Sequence, residues 1–382
     1  MTSTLHITCF VLLLLGRSCF SIYDVEIPQQ PQVDNIYEQA LIDAQLESKM
    51  QRYRVPSISF AVIRDGSIEW AKGYGVLQKG SDEPVDTETM FSVGSVSKVG
   101  ASVICLRMVQ EGSLDLDVDV NEYLDSWQLP DNEFTTAESV SLRRITSHTA
   151  GLTVHGFADY EPDEALPTTT QILTGAKPAK NDPVEVDIPV GSRYRYSGGG
   201  TTILQLIVED ITGAPFYQAA TEQLFAPLGM HRSSYENPLP ASFENVAKAH
   251  NRWGRPVALP RGYEAMPEAA ASGLWTTPTD LATMMVALMQ AYHADDSNFL
   301  SPQLVQEQMT PVPPSEFGIG PKISKEGNYT AFSHSGANDS YRALIVGYLE
   351  NQSGFIILTN GTRGKGLIDQ LKPLFTDLLL EE

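Results

Sequence analysis

Apolar and polar residues change period several times along the chain, and those changes outline its elements. Residues Tyr37 to Arg54 carry a helical pattern suited to packing against a sheet. Ile58, Phe60 and Val62 then alternate with smaller or polar residues, Asp65-Gly66 supplies a tight turn, and Ile68 and Trp70 resume the alternation, which predicts a β-hairpin. From Ser95 the period is helical again, with Val96, Val99, Val103 and Leu106 on one stripe and Gly112 placed to end the helix. The middle of the chain, from about 113 to 265, is rich in turns and short helical segments, including a helix over Thr201 to Thr212 that stops at Gly213.

Strand signals return near the end. Thr277-Pro278-Thr279-Asp280 combines a cap, a proline at the first helical position and an acid in the first turn ahead of the run LATMMVALM, so a helix starts there. Tyr341 to Leu349 and Phe355 to Thr359 read as strands on either side of the turn Asn351 to Gly354, and Leu367 to Leu380 as a closing helix. Strands at both ends with helices between them predict an α+β fold. In it, N- and C-terminal strands share one antiparallel sheet, helices cover that sheet, and a mostly helical insertion at about 113–265 forms one wall of a cleft.

Composition narrows the class. The 382 residues are 42% hydrophobic and 19% charged, as in an ordinary globular protein. A formal net charge of −21 disfavours phosphate backbones and anionic lipid as partners. An apolar stretch from about Ile7 to Gly16, followed by small residues, has the layout of a secretory signal with a cut after Ser21. It is too short to serve as a membrane anchor. The expected organisation is therefore a signal at 1–21, a polar linker at 22–36 and one folded unit at 37–382, secreted or periplasmic. Cys9 and Cys19 leave with the signal, and Cys105 is then alone, as expected of a buried and inert thiol. No His/Cys cluster or H-e-x-x-H-type spacing suggests a metal, and no cofactor is expected.

Ser95-Val96-Ser97-Lys98 is the only S-x-x-K in the chain. A serine at a helix start and a lysine three residues on share one face, which couples a nucleophile to an amine. Taken alone, the same serine could simply start the helix as an N-cap. The stretch FSVGSVSK that contains it resembles the active-site signature of class C β-lactamases, D,D-peptidases and related esterases. Further matches follow in order. Ser141 to Leu152 is similar to the segment after the nucleophile helix, Tyr194 to Gly200 to the family's tyrosine loop, Phe332 to Ala337 to the strand bearing its K-T-G, and Tyr263 to Asp280 to its later core.

The resemblance implies that Ser95 attacks a carbonyl, that Lys98 and Tyr196 manage its proton, and that the backbone N–H groups of Ser95 and Ala337 form an oxyanion hole. Lowering a lysine from its ordinary pKa to about 7 takes roughly 4.6 kcal/mol, available from burial. Lys98 serves as the base only if desolvated; otherwise its charge favours a Tyr196 phenolate, and both assignments stay open at this stage.

Two departures matter. Where the family shows Y-x-N, this chain has Tyr196-Ser197-Gly198, so the amide that would bond a substrate's acylamino group is absent. Where it shows K-T-G, the chain has His334-Ser335-Gly336, which replaces a fixed cation by a group that ordinarily titrates near pH 6.5. Gly198, His334, Ser335 and Gly336 are thus the expected substrate-facing positions, with activity expected to follow the histidine's charge. The preferred expectation is an esterase or small-amide hydrolase. The alternatives are a β-lactamase or D-peptidase acting on cell-wall-like substrates, and a non-catalytic binding or sensor protein. His148 and His155 are expected to be structural. Asn328, Asn338, Asn351 and Asn360 each begin an N-x-S/T sequence, and a glycan at Asn338 would crowd the cleft.

Overall fold

A computed structural model describes residues 33–380. The expected signal at 1–21 lies outside the described residues. The first helix, α1, spans Val33–Tyr53, so it begins inside the stretch 22–36 expected to be linker.

Six strands form one antiparallel sheet: β1 Ser57–Arg64, β2 Ser67–Gly75, β3 Lys322–Glu326, β4 Tyr329–Asn338, β5 Tyr341–Tyr348 and β6 Ser353–Thr359. Their spatial order is β2-β1-β6-β5-β4-β3, so the chain's two ends meet in the β1–β6 pairing. The β1–β2 turn places both Asp65 and Gly66 at positive φ, 49° and 70°, the conformation whose twist suits a two-residue hairpin. β1 and β6 are buried almost throughout because the sheet is covered on both faces. Phe60, Val62, Phe355 and Ile357 meet Leu46 of α1 and Leu371 and Phe375 of the closing helix, α5 (Gly364–Leu380). The Phe60 and Phe375 rings lie 5.2 Å apart, edge to face. Ala61, Ile63, Ile356 and Leu358 face the other way, into the larger core shared with Met285 and Leu288 of α4 (Pro278–His293). At the start of α4, Thr277 Oγ1 accepts from the Asp280 N–H at 3.1 Å, the cap foreseen in Thr-Pro-Thr-Asp.

The remaining long helices are α2, Ser97–Gln110, and α3, Gly198–Thr212. α2 is buried on nearly every side, from Ser97 to Leu106, because α3 and shorter helical segments such as Ala269–Ser272 pack around it. Gly112, at φ 78°, follows its end. No strand of the main sheet falls between residues 76 and 321, which bears out the N- and C-terminal origin of that sheet. Free Cys105 is fully buried in α2, and burial pushes its thiol up to about 12, so it stays protonated. Among the described residues, no helix is long and apolar enough to cross a membrane.

Candidate active site

Ser95 lies in a single 3₁₀ turn, Gly94–Val96, immediately before α2. No side-chain cap closes either helix start there, so Ser95 is not an N-cap serine. Its Oγ accepts from Lys98 Nζ at 3.3 Å, while the same amine donates to the Ala271 carbonyl at 2.7 Å. One turn of chain separates nucleophile and amine, and the two end up on one face as the spacing predicts.

Lys98 is buried, and no carboxylate pairs with it among the described residues. Desolvation brings its pKa from 10.5 down to about 7. A neutral amine is then accessible at physiological pH. Tyr196 stands beside the pair, with Lys98 Nζ 5.1 Å from its ring centroid. Burial raises the Tyr196 phenol to about 12 against the opposing effect of its hydrogen bond with Ser95. The two shifts together favour a neutral amine over a phenolate at neutral pH.

β4 delivers the next residues. Gly336 packs so tightly on the nucleophile turn that a Cβ there would sit 1.8 Å from the Val93 carbonyl and 3.1 Å from the Ser95 nitrogen. A Cβ on Gly94, which has φ +50°, would reach within 2.5 Å of the Ala337 nitrogen. The backbones at 93–95 and 336–337 therefore touch, and the amides of Ser95 and Ala337 come to the same place. Asn338 fixes this approach by donating to Ser92 Oγ at 2.6 Å and to the Ser272 carbonyl at 3.1 Å.

His334 corrects one expectation. It is buried, its Nδ1 faces the Ser335 carbonyl at 2.8 Å, and desolvation with the nearby Lys98 charge lowers its pKa to about 4. A carbonyl only accepts, so Nδ1 carries the proton and Nε2, which has no partner, keeps its lone pair. His334 is a neutral group above about pH 5, and the titration near neutrality belongs to Lys98.

Gly198 corrects another. It is buried at the first turn of α3, and a Cβ on it would lie 3.0 Å from the Phe157 ring and 3.2 Å from the His155 carbonyl. Phe157, not substrate, covers this position. Ser95, Lys98, Tyr196, His334, Ser335, Gly336 and Ala337 do line one cleft of about 700 Å³. A second cavity of similar volume, between α1 and β2 around Asp43, Met50 and Tyr74, holds no nucleophile–base pair.

The cleft also recruits residues that the sequence did not single out for it. His148 and His155 pack on Tyr196 with ring centroids 4.2 and 4.9 Å away. The Ser197 N–H donates to His148 Nδ1 at 3.3 Å, which ties the tyrosine loop to this histidine. Phe317 stacks on Tyr194 with centroids 5.6 Å apart and 13° between planes. Arg342 and Lys365 also line the cleft. Only the pairing of distant loops reveals these neighbours. Among the described residues, no cluster of three His, Cys, Asp or Glu could hold a metal.

Comparison with known proteins identifies relatives of this chain. The beta-lactamase family model matches residues 42–372. Penicillin-binding protein 4 of Amycolatopsis lactamdurans is 33% identical over 181 residues, covering 47% of this chain and 45% of that protein. Protein flp of Staphylococcus aureus (strain N315) is 23% identical over 336 residues, 86% of this chain and 62% of its own. The chain thus spans roughly half to three-fifths of the length of these curated relatives. Among solved structures, D-amino acid amidase from Ochrobactrum anthropi SV3 superposes with a TM-score of 0.72 at 18% identity, covering 89% of this chain and 99% of that one. The octameric penicillin-binding protein homologue from Pyrococcus abyssi gives 0.68 at 22%, covering 88% and 77%. These neighbours share the fold, and the family match extends over most of the chain: the protein belongs to the beta-lactamase family.

Proposed function

We propose that this chain is an exported serine hydrolase that cleaves esters or small amides through an acyl-enzyme on Ser95. The observation that carries the reading is the buried Lys98 amine, 3.3 Å from Ser95 Oγ and depressed to about pKa 7 by desolvation. In the neutral state it takes the Ser95 hydroxyl proton as Oγ bonds to the carbonyl carbon, while the carbonyl electron pair moves onto oxygen. The Ser95 and Ala337 amides hold that oxyanion. When the electron pair returns, the bond to the leaving group breaks. The departing alcohol or amine then takes a proton from the Tyr196 hydroxyl, which is replenished by the Lys98 ammonium. Water repeats the sequence to release the acid.

Substrate preference rests on the two departures in the binding residues. A neutral His334 offers no fixed charge to a carboxylate, and Phe157 rather than an amide covers Gly198. Both favour an uncharged substrate without an acylamino group. A second reading, β-lactam or peptide hydrolysis, draws support from the cations Arg342 and Lys365, which also line the cleft.

Initial rates on a p-nitrophenyl short-chain ester and a chromogenic cephalosporin, for the wild type and Ser95→Ala, separate these readings. Ser95-dependent ester turnover with negligible cephalosporin turnover is expected. The reverse pattern supports the second reading, and Ser95-independent rates on both contradict the acyl-enzyme.

A further inference from the structure

The catalytic cleft carries an aromatic wall that the proposed chemistry does not use. Phe157, Tyr194 and Phe317 all line it and all remain partly exposed, Tyr194 by 44%. Large rings left open beside a reactive serine form a surface that prefers another ring.

Their placement is fixed before any ligand arrives. The Gly198 and Gly199 amides, at the first turn of α3, donate to the carbonyls of His155 at 3.1 Å and Val154 at 3.0 Å, and Ser197 Oγ donates to the Thr153 carbonyl at 2.6 Å. The loop that presents Phe157 is thereby pinned to the helix start. Phe317 is held between Tyr194, stacked at 5.6 Å, and His148, edge to face at 5.1 Å. The wall is also poor in charge. Burial keeps His148 well below its ordinary pKa and His334 at about 4, and the Lys322–Glu316 ion pair beside Phe317, at 2.9 Å, is exposed.

Resting on the hydrolase reading above, we infer that Phe157, Tyr194 and Phe317 form a preorganised clamp for an aryl group on the acyl side of the substrate. The side follows from Gly198, the position at which the Y-x-N pattern of the resembled family places an amide for the acyl group, and where the Phe157 ring lies 3.0 Å from any added Cβ. An apolar ring in place of a polar partner rejects hydrogen-bonding acyl groups, whose donors would be stranded, and accepts aromatic ones.

The test holds the leaving group constant and varies the acyl group. With the p-nitrophenyl esters of phenylacetic and acetic acids, each rate is divided by that of hydroxide-catalysed hydrolysis. The wild type is expected to favour phenylacetate in kcat/KM by about 10- to 100-fold. Phe157→Ala is expected to bring that ratio to within about threefold of unity, and Phe157→Leu, which keeps the loop filled, to an intermediate value. Calorimetry of Ser95→Ala with phenylacetamide and acetamide reads the clamp without catalysis, and only phenylacetamide should bind measurably. Ser95-dependent turnover with a ratio near unity, or a ratio untouched by both Phe157 variants, overturns the clamp and leaves the hydrolase standing. Phenylacetamide binding that needs Phe157, without turnover of either ester, supports the clamp and overturns the hydrolase.

Discussion

Lys98 donates its Nζ proton to the main-chain carbonyl of Ala271 at 2.7 Å, which aims the amine at Ser95 from a fixed point of the helical wall. The geometry is set by backbone, so a shorter or differently branched side chain cannot reproduce it.

Activity should therefore follow the Lys98 amine. Its pKa is lowered to about 7, so the neutral, proton-accepting form gains population as pH rises through that value. We expect kcat/KM to rise from pH 5.5 to a plateau near 8. Lys98→Met should lower kcat by about 10³-fold or more with the fold intact. His334→Gln should leave the midpoint of the pH limb near 7, because His334 titrates at about 4. A midpoint that moves with His334 would assign the limb to the histidine instead.

Gly336→Ala should separate β4 from the nucleophile turn. The added Cβ would fall 1.8 Å from the Val93 carbonyl, and backbone atoms on both sides have no flexible end to yield. A shift of the order of 1 Å at the paired Ser95 and Ala337 amides should lower kcat about 100-fold. The change in KM should be smaller. Wild-type kcat in a folded Gly336→Ala protein would remove these amides from the mechanism.

The elements were legible wherever one interaction dominates. Asp65-Gly66 needs two left-handed residues, Thr277-Pro278 needs a cap, and β1 and β6 need two apolar faces; each leaves a local trace. Ser95 and Lys98 were legible for the same reason, since one helical turn joins them. The carbonyl of Ala271 was not, because a backbone acceptor 173 residues away has no sequence signature. His334 shows the other limit: its residue type suggested titration near neutrality, but burial beside Lys98 decides its charge. His148, His155 and Phe317 reach Tyr196 only through tertiary packing of separate loops.

Stability should fall as pH rises from about 4.5 to about 8. Glu268 is fully buried with both carboxylate oxygens unpartnered, and desolvation raises its pKa from 4.5 to about 8. Between those values the unfolded chain has released this proton while the folded chain retains it, so the unfolded state binds fewer protons and gains with pH. The effect is limited to about 5 kcal/mol. Asp159, raised by burial and by the Glu264 charge, and Glu264, raised by burial and by the Asp339 charge, act in the same direction. Denaturant titrations across pH 5–8 should show a shallower loss in Glu268→Gln; parallel curves would deny Glu268 this role.

Among the four N-x-S/T sequences, Asn328 should be the one that accepts a glycan in a glycosylating host. It is exposed in the β3–β4 turn. Asn338 and Asn360 are buried with their amide nitrogens donating to Ser92, Ser272, Leu77 and Lys248, so a glycan on either is incompatible with this fold. Peptide mapping by mass spectrometry of secreted protein checks this, and occupied Asn338 in folded protein would contradict the packing of β4.

The central claim is a covalent intermediate on Ser95. Rapid acid quench of the wild type with a p-nitrophenyl ester, followed by intact-mass and peptide analysis, reads it directly. The account predicts one added acyl group, on the peptide containing Ser95, that is lost on turnover and absent from Ser95→Ala. Ser95-dependent hydrolysis with no acyl adduct under conditions that give a burst of p-nitrophenol, or an adduct mapped to another residue, would contradict it.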